Sequence, residues 1–447
     1  MIKGWSRDWN YFLISMSLWC FMPEIRRLLD WRAGAFSSVQ ILSLVPLLSV
    51  LPLLFFCLKK ERLSRVSPTF RFFALTWLAA FTYALGVGIL AGSGTAAIYS
   101  YASFIVPVIV GLWITTQELA PAATLRRLAT ILLCLGGVVG VYGLVQFVVA
   151  PPWDTLWVIS ADMQSIGPAL PFMMRVFSTL NSQGPCADFL AIALVLGLSG
   201  IGLRAIYMWP LMAAISAALA LTLVRSAWLA LVAGIIAYLL CSPRRLRALP
   251  MIAIFALFTA FLVVSLPALL GDDGGGTQIV SRLQTFDDLG HDSSSLDRQS
   301  EIAQAFDTAN RNPLGGGLGL VGSAAKLTSA DQEGTALDSG FLARFLELGY
   351  IGFALYLVVI FGSLATLITR LIASAGRTEV GDRVAIATSA ALCVVVLALE
   401  AAGDSYNGII GLLAWLAIGT GLHWNFGKLT VKTLMRKPRS LQPRATA

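Results

Sequence analysis

The sequence is poor in charge. Only 13% of its 447 residues are Asp, Glu, Lys or Arg, whereas hydrophobic residues make up 57% and the mean hydropathy is +0.78. Soluble globular domains carry roughly 25% charged residues, about twice this share. The deficit excludes an ordinary soluble domain and favours an integral membrane protein.

Histidine is nearly absent, and the cysteines form no pattern. There are 2 His and 6 Cys, and every cysteine lies in or beside an apolar run. Neither a disulfide framework nor a zinc quartet is therefore expected. The acid pairs Asp272-Asp273 and Asp287-Asp288 do not have the spacing of a calcium site, which needs roughly six to eight oxygen ligands. We expect no metal ion and no cofactor.

The sequence also lacks basic patches interleaved with aromatic residues, so nucleic acid is not an expected partner. The formal net charge of +8 comes from short basic clusters between apolar runs. Such clusters are typical of the cytoplasmic loops of membrane proteins. We therefore interpret the excess of positive charge as a signal of topology.

Long apolar runs are abundant. The hydrocarbon core of a bilayer requires about 20 apolar residues per helix, and twelve runs in the sequence approach that length. They lie near residues 9–22, 37–57, 70–91, 97–117, 127–150, 184–201, 206–223, 226–241, 249–270, 341–364, 384–401 and 406–424. The predicted fold class is all-α, a polytopic integral membrane protein with about 12 transmembrane helices.

The basic residues predict the orientation. With both termini in the cytoplasm, most of the 32 Lys and Arg residues fall inside, as the positive-inside rule requires. The first apolar run has no small-residue cleavage site and meets Pro23, so we interpret it as a retained span. These features predict a multi-pass protein of a bacterial inner membrane. Its expected parts are nine helices in residues 1–270, a large periplasmic loop in 271–340, three helices in 341–427 and a basic cytoplasmic tail in 428–447.

The predicted periplasmic loop is an extended hydrophilic region. It contains eleven acidic residues and four basic ones. Within it, residues 295–310 have helical periodicity, and Asn312-Pro313 followed by Gly315–Gly317 ends this helix and provides a hinge. Loops of this length that contain their own helix are usually functional.

Arg225 is the most informative residue within the predicted spans. It lies near the middle of an apolar stretch that runs from Ile206 to Cys241 without a polar linker. Ionisable groups at membrane depth are costly and usually functional, and a planar guanidinium fits two phosphate oxygens. The structural alternative is a snorkelling arginine, with its stem in lipid and its charged head at the interface.

Three segments of the sequence resemble a known family. They are Leu223-Val-Arg225-Ser-Ala-Trp228, the loop helix from Arg298 to Phe306, and Asn312-Pro-Leu-Gly-Gly-Gly-Leu-Gly319, which leads to Asp338-Ser-Gly-Phe and Glu347-Leu-Gly-Tyr-Ile-Gly352. In order and spacing they resemble the O-antigen ligase and polymerase superfamily of bacterial inner-membrane glycosyltransferases. The resemblance implies metal-independent glycan transfer at the periplasmic face. An oligosaccharide on undecaprenyl diphosphate would be the donor, and a glycan hydroxyl the acceptor.

The resemblance also implies roles for individual arginines. Arg225 and Arg298 would hold the lipid diphosphate and stabilise the charge that it gains as the glycosidic bond breaks. Arg175 is a candidate for a third contact, with a solvated loop arginine as the alternative.

Further candidates for substrate binding lie near the last three spans. Arg344 and Glu347 are one helical turn apart, so we expect them to pair with each other. Together with Arg311 they would line the substrate cavity. Asp404 and Asn407, near the outer end of the last hairpin, are candidates for binding sugar hydroxyls, as is Glu400 inside the eleventh span.

One departure from the family pattern bears on the reaction. Ligases of this superfamily usually carry a His-Asn pair where this chain has Asp338-Ser339, and His291 and His423 lie elsewhere. Asp338 is the expected base for the acceptor hydroxyl, with a helix N-cap as its alternative. The missing histidine favours a polymerase that joins lipid-linked repeat units over a ligase that transfers glycan to lipid A-core.

A secondary transporter or a lipid-linked glycan flippase is the alternative from another class. Many transporters have two similar halves, which this sequence does not show, and neither class accounts for an acidic loop that contains Arg298. The expected partners are therefore the lipid-linked donor, a glycan acceptor and the lipid bilayer. A chain-length regulator bound to the loop is left open as a further partner.

Overall fold

The structure is a computed structural model of the chain. It describes residues 6–37, 40–246, 248–250, 252–253, 256–257, 260, 293–322, 325, 337, 339–376 and 378–423, and for 293–301 it describes the backbone alone. All regular secondary structure in these residues is helical.

Fourteen helices are numbered here in chain order. They are α1 (Arg7–Ala33), α2 (Val45–Cys57), α3 (Lys60–Leu63), α4 (Pro68–Leu90), α5 (Gly94–Thr115), α6 (Pro121–Val149), α7 (Pro152–Ser160), α8 (Gln183–Leu198), α9 (Ala205–Thr222), α10 (Arg225–Cys241), α11 (Ser293–Arg311), α12 (Gly340–Ala373), α13 (Val380–Glu400) and α14 (Gly408–Gly421). Two short 3-10 turns lie at Ile41–Leu44 and Gln164–Ile166.

The helices confirm the predicted fold class. Among the described residues, 6 helices are long and apolar enough to cross a membrane, and four shorter apolar helices accompany them. Every predicted span except the ninth coincides with a helix. In the ninth, near 249–270, the described residues are helical and the others lie outside the described part of the chain. The protein is therefore a multi-pass, all-helical membrane protein.

The loops that carry most candidate residues gather at one end of the bundle. Phe172 donates its amide to the carbonyl of Phe147 near the end of α6 at 2.7 Å, and Leu318 donates to Ala84 near the end of α4 at 3.0 Å. Helices α4, α6, α9 and α13 finish at this end, and α8, α10, α12 and α14 begin there. We call it the loop end, and the opposite end the tail end.

Small residues bring the central helices close together. Gly234 of α10 lies where a Cβ atom would overlap the side chain of Val395 in α13 and would be 3.1 Å from Val195 in α8. In a bilayer, helices associate through such close packing because lipid tails are as apolar as the helices themselves. Helices α8 and α13 thus pack closely against the middle of α10.

An aromatic cluster supports the loop end from below. The ring of Trp77 in α4 lies 5.2 Å from that of Tyr356 in α12, and Phe81 stacks on Phe104 of α5 at 4.5 Å. The indole of Trp77 donates a hydrogen bond to the carbonyl of Phe104 at 3.1 Å. Buried aromatic pairs stabilise a fold beyond the area that they remove from solvent. The cluster therefore fixes α4, α5 and α12 relative to one another.

The long apolar stretch around Arg225 is broken by a single residue. Leu223 has a φ of 53°, in the left-handed region, so α9 ends there and α10 begins two residues later. The indole of Trp228 donates to the carbonyl of Leu219 at 3.2 Å and bridges the break. Two membrane helices thus follow each other without a polar linker.

Helix α12 contains a second break, at Gly349. Its φ and ψ are 63° and −172°, which is a conformation open to glycine and strained for other residues. A Cβ atom there would overlap the backbone of Leu314 and Gly315. The amide of Tyr350 donates to the carbonyl of Pro313 at 3.0 Å. The segment after α11 therefore packs directly into the kink.

This packing predicts that Gly349→Ala lowers the melting temperature in detergent. A left-handed conformation costs a residue with a side chain roughly 1–2 kcal/mol, and the overlap with the backbone adds to that cost. Gly92→Ala is the matched control, because Gly92 has a φ of 87° and open space around its Cβ position. Equal melting temperatures for the two variants would show that the contact at Gly349 does not constrain the fold.

Candidate functional site

Arg225 begins α10 at the loop end. The first turn of a helix has amide N–H groups without acceptors inside the helix. Val224, the preceding residue, has no polar side-chain atom to cap them, so the amides of Ser226 and Ala227 face outward from the helix start. A helix start of this kind favours an anion, and the guanidinium adds a full positive charge beside it.

Arg225 also lies at the end of an exposed apolar strip. Leu229, Val232 and Ile236 follow it after four, seven and eleven positions, which is one face of a helix, and they are 61%, 50% and 52% exposed. In a membrane protein this face contacts lipid. The partly buried Arg225 therefore lies where a lipid-facing strip reaches the loop end.

Arg175 caps the end of α9, directly before Arg225. Its Nε donates to the carbonyl of Thr222 at 2.9 Å, and its Nη2 donates to that of Leu223 at 2.8 Å. Its Nη1 donates to the carbonyl of Ser165 at 2.9 Å. These three bonds hold the partly buried guanidinium against the backbone. A contact between Arg175 and a diphosphate stays a prediction.

The glycine-rich segment after α11 packs into the α12 kink. The amide of Gly316 donates to the carbonyl of Leu346 at 2.8 Å, and that of Gly317 donates to Glu347 at 3.1 Å. Both carbonyls lie in the turn before the kink, where helical donors are missing. The segment thus replaces the hydrogen bonds that the kink removes.

The other side of this segment is held by α4. The hydroxyl of Tyr83 donates to the carbonyl of Leu314 at 2.6 Å, and the amide of Leu318 donates to Ala84. The glycine run Gly315–Gly317 predicts a hinge. The structure shows a packed segment instead, because backbone from two helices contacts it on both sides.

Glu347 connects this segment to a buried ion pair. Its Oε1 accepts hydrogen bonds from the amides of Gly319 at 3.1 Å and Val321 at 3.4 Å. Its other oxygen forms an ion pair with Arg344, one turn earlier in α12. The predicted pairing of Arg344 with Glu347 is confirmed, and both side chains are buried.

Arg344 extends the pair to the turn between α13 and α14. Its Nη2 donates to Oδ2 of Asp404 at 3.0 Å, and its guanidinium lies 4.3 Å from the ring centre of Phe104. The Asp404 side chain is 29% exposed, so it forms the accessible edge of this group. Partial burial raises the pKa of the Asp404 carboxyl above its ordinary value, although Arg344 opposes the rise.

Glu400 fixes the turn that carries Asp404. The hydroxyl of Tyr356 donates to its Oε1 at 2.5 Å, and the amides of Ser405 and Tyr406 donate to its Oε2 at 2.7 and 3.2 Å. The carboxylate of Glu400 thus accepts hydrogen bonds from the backbone that follows the end of α13. We call Arg344, Glu347, Glu400 and Asp404 the Arg344 cluster.

The remaining predicted residues lie away from this cluster or outside the described part of the chain. Arg311 ends α11 and pairs with Asp307 at 2.7 Å, with both side chains exposed. An exposed pair of this kind contributes little to stability. Arg298 lies within α11, where the backbone alone is described, and Asp338 lies outside the described residues. Their predicted roles are therefore untested.

A buried charged cluster that the sequence analysis did not anticipate lies at the loop end of α1. Glu24 and Arg27 form an ion pair, and Nε of Arg27 lies 3.2 Å from Oδ1 of Asp154 in α7. The hydroxyl of Tyr142 contacts Glu24 at 2.5 Å and Asp154 at 2.9 Å, and the indole of Trp153 donates to Glu24 at 2.6 Å. We call these five residues the Arg27 cluster.

Helix α1 extends beyond the predicted first span, and the Arg27 cluster lies in this extension. Hydropathy ends that span at residue 22, whereas α1 continues to Ala33. Glu24, Arg27 and Asp30 recur every three residues, so they share one side of the helix. Their mutual spacing was a visible signal. Asp154, the partner of Arg27 in α7, lies more than about a hundred residues away in the chain. No pattern near Arg27 in the sequence indicates this contact.

Among the described residues, no three His, Cys, Asp or Glu side chains gather as a metal site would require. The Arg27 and Arg344 clusters instead pair arginines with carboxylates, whereas Arg175 bonds backbone carbonyls. Arginines in this setting suit the binding of phosphate or carboxylate oxygens.

The comparison with known families agrees with this arrangement. Residues 210–357 match the family model described as O-Antigen ligase. This match supports the resemblance of residues 210–357 to the O-antigen ligase and polymerase superfamily, whose members are glycosyltransferase-like enzymes. The matched region covers about a third of the chain and includes Arg225, Arg344 and Glu347. No curated protein matches the chain.

The Arg27 cluster predicts a pH dependence of stability. Burial raises the pKa of Asp154 from 3.8 to about 6; Arg27 opposes the shift and Glu24 adds to it. Because the folded value exceeds the unfolded one, the stabilisation from this group is complete below pH 3.8 and is lost as the pH rises through about 6. We expect the melting temperature of the wild type to fall more steeply over this range than that of Asp154→Asn.

The measurement is thermal unfolding in detergent from about pH 3 to 7.5, which spans both pKa values. Asp162→Asn, at an exposed position of the same loop region, should follow the wild type. Parallel curves for the wild type and Asp154→Asn would contradict the prediction.

Proposed function

We propose that the loop end faces the periplasm of a bacterial inner membrane and that the protein transfers glycan there. The donor is an oligosaccharide on undecaprenyl diphosphate, and the acceptor is a hydroxyl of another glycan. The observation that carries this proposal is the position of Arg225. At this position a guanidinium and a helix start without a side-chain cap lie at the end of a lipid-facing strip. The guanidinium and the helix start would bind the diphosphate of a lipid diphosphate, and the strip would contact its apolar tail.

The chemistry of the donor explains the need for this arrangement. As the bond between the sugar and the diphosphate breaks, negative charge grows on the leaving oxygen. A guanidinium and helix-start amides held in place beforehand stabilise that charge more than mobile water does. Arginine supplies the charge that a divalent metal ion supplies in many other phosphate sites. We therefore propose a metal-independent reaction.

The apolar strip of α10 gives the donor a path from the bilayer. A polyprenyl tail lying along Leu229, Val232 and Ile236 would stay in lipid while its diphosphate reaches Arg225. The acceptor glycan would approach from the aqueous side, past the exposed edge of Asp404. The diphosphate of the donor would thus reach the site from the bilayer side, and the hydroxyl of the acceptor would reach it from the aqueous side.

Other residues complete the proposed site. Arg298 would contact the diphosphate from α11, which docks on α12 through Phe306 and Phe345, whose ring centres are 5.4 Å apart. Asp338, close before α12, would take the proton of the acceptor hydroxyl. Arg311 and the Arg344 cluster would border the glycan path.

We further propose that the protein is a polymerase and joins lipid-linked repeat units of O-antigen or exopolysaccharide. The chain has no histidine at 338, where ligases of the superfamily usually carry one. In a polymerase the acceptor is itself a lipid-linked glycan, so both substrates would present sugars at the same membrane surface. A ligase would instead accept a separate acceptor such as lipid A-core.

The test uses purified protein in detergent with an undecaprenyl-diphosphate oligosaccharide and no added metal. A ladder of products that differ by one repeat unit, followed by gel or mass spectrometry, would support the polymerase. Single transfer that depends on an added acceptor would identify a ligase. No transfer from an intact donor would exclude the proposed function and leave the transporter as the alternative.

Arg225→Lys should lower the transfer rate by about 100-fold although the charge is retained. Lysine has a single ammonium group and cannot bond two phosphate oxygens in the planar geometry of a guanidinium. Arg204→Lys is the matched control, since Arg204 precedes α9 at the tail end of the bundle. The assay compares initial rates at equal amounts of folded protein. Wild-type rates for Arg225→Lys would remove Arg225 from the site.

Asp338→Asn should slow transfer without weakening donor binding, because an amide cannot accept the hydroxyl proton. Asp307→Asn, at an exposed position of α11, serves as the control. Undiminished turnover of Asp338→Asn would exclude its role as a base.

A further inference from the structure

A series of hydrogen bonds connects the Arg27 cluster with the start of α10. It passes through the segment 175–180, which lies between α7 and α8. The proposed transfer uses none of the buried charges of this cluster. Their contacts nevertheless lead to the residue before Arg225.

Ser178 is the first link in this series. Its amide donates to Oε1 of Gln146 at 2.7 Å, its hydroxyl donates to the carbonyl of Val139 at 2.5 Å, and its carbonyl accepts from Nη2 of Arg27 at 2.6 Å. Its φ of 52° is unfavourable for a residue with a side chain. The surrounding hydrogen bonds therefore determine its conformation.

Asp154 holds the two side chains that hold Ser178. Nε2 of Gln146 donates to its Oδ2 at 2.7 Å, and Nε of Arg27 lies 3.2 Å from its Oδ1. Arg27 also donates to the carbonyl of Leu180 at 3.1 Å. Asp154, Gln146 and Arg27 are at most 1% exposed. Because a buried charge without its partner is costly, this geometry has little freedom.

The second link joins the same segment to the end of α9. The amide of Val176 donates to the carbonyl of Leu221 at 3.1 Å. Arg175 donates to the carbonyls of Thr222 and Leu223, as described above. Leu223 has the left-handed conformation that ends α9 and sets the direction of α10. The segment therefore accounts for hydrogen bonds to the carbonyls of Leu221, Thr222 and Leu223.

We propose that Arg27 and Gln146 are positioning residues for Arg225, because through Ser178, Val176 and Arg175 they fix the break at which α10 begins. This inference rests on the proposed function, in which Arg225 binds the diphosphate of the donor. A guanidinium fork binds two oxygens only when its orientation is set. Small displacements of a positioned group reduce the rate strongly.

Gln146→Met tests the positioning step without any substrate. Methionine has a similar volume and cannot bond the amides of Phe177 and Ser178, which now donate to Gln146 at 3.0 and 2.7 Å. We expect faster hydrogen–deuterium exchange in residues 222–228. Gln117→Met is the matched control, since Gln117 is a buried glutamine that donates to Asp8 at the tail end. Unchanged exchange in 222–228, with the mutant folded, would overturn the proposal.

A double-mutant cycle then tests whether the effect acts through Arg225. The probe is geranylgeranyl diphosphate, whose binding is measured in detergent by the wild type, Gln146→Met, Arg225→Ala and the double mutant. We expect Gln146→Met to weaken binding by about tenfold when Arg225 is present and by less than about twofold in the Arg225→Ala background. Equal effects in both backgrounds would overturn the proposal, because they would show an independent, merely structural role.

Arg27→Lys provides a second variant that retains the charge. A lysine at this position can pair with Glu24 but cannot also contact Asp154 and bond the two carbonyls. The Arg27→Lys variant should therefore show the same changes as Gln146→Met in both measurements. Wild-type behaviour in both would exclude Arg27 from positioning. Arg32→Lys in the last turn of α1 is its control, because Arg32 is exposed and lies outside the Arg27 cluster.

The outcomes separate this proposal from the proposed function. If the wild type neither transfers glycan nor binds the probe, the proposed function fails, and faster exchange in Gln146→Met still supports the positioning of α10. If the wild type transfers glycan while exchange and binding are unchanged in Gln146→Met, the proposed function stands and the positioning role is refuted.

Discussion

Backbone groups that leave a helix at membrane depth must find new hydrogen-bond partners, since lipid offers none. The loop end of this protein depends on that constraint. The helical ladder is interrupted at Leu223 and at Gly349, and in each case another segment supplies the missing partners. Arg175 donates to the carbonyls at the end of α9. The glycine-rich segment donates to those before the α12 kink. The breaks are therefore fixed points of the structure.

Charge at the loop end follows the same logic. The two most deeply buried arginines there, Arg27 and Arg344, lie between two carboxylates and next to an aromatic ring. The carboxylates in turn accept hydrogen bonds from hydroxyl, amide or indole groups. Burying such groups is costly unless every charge is paired and bonded. The two clusters thus hold α1, α6 and α7 on one side, and α12 with the α13–α14 turn on the other.

Features that depend on local spacing could be predicted from the sequence. Hydropathy predicted the helices, and the interval between Arg344 and Glu347 predicted their pairing. The end of α1 and the roles of Arg175 and Asp154 could not be predicted, because their partners are distant in the chain. The glycine run was expected to be flexible. Its contacts with α4 and α12 depend on tertiary packing, which glycine content does not reveal. The predicted roles of Arg298 and Asp338 stay predictions.

The lipid-facing strip of α10 has a consequence for how successive reaction cycles are connected. In the proposed function, a polyprenyl carrier that binds along Leu229, Val232 and Ile236 would not have to leave the plane of the membrane. Its arrival and departure would then be two-dimensional diffusion, and membrane area would set its local concentration. The spent carrier would return to the lipid pool through the same face by which it arrived. Turnover would accordingly respond to the fluidity and composition of the bilayer around this helix.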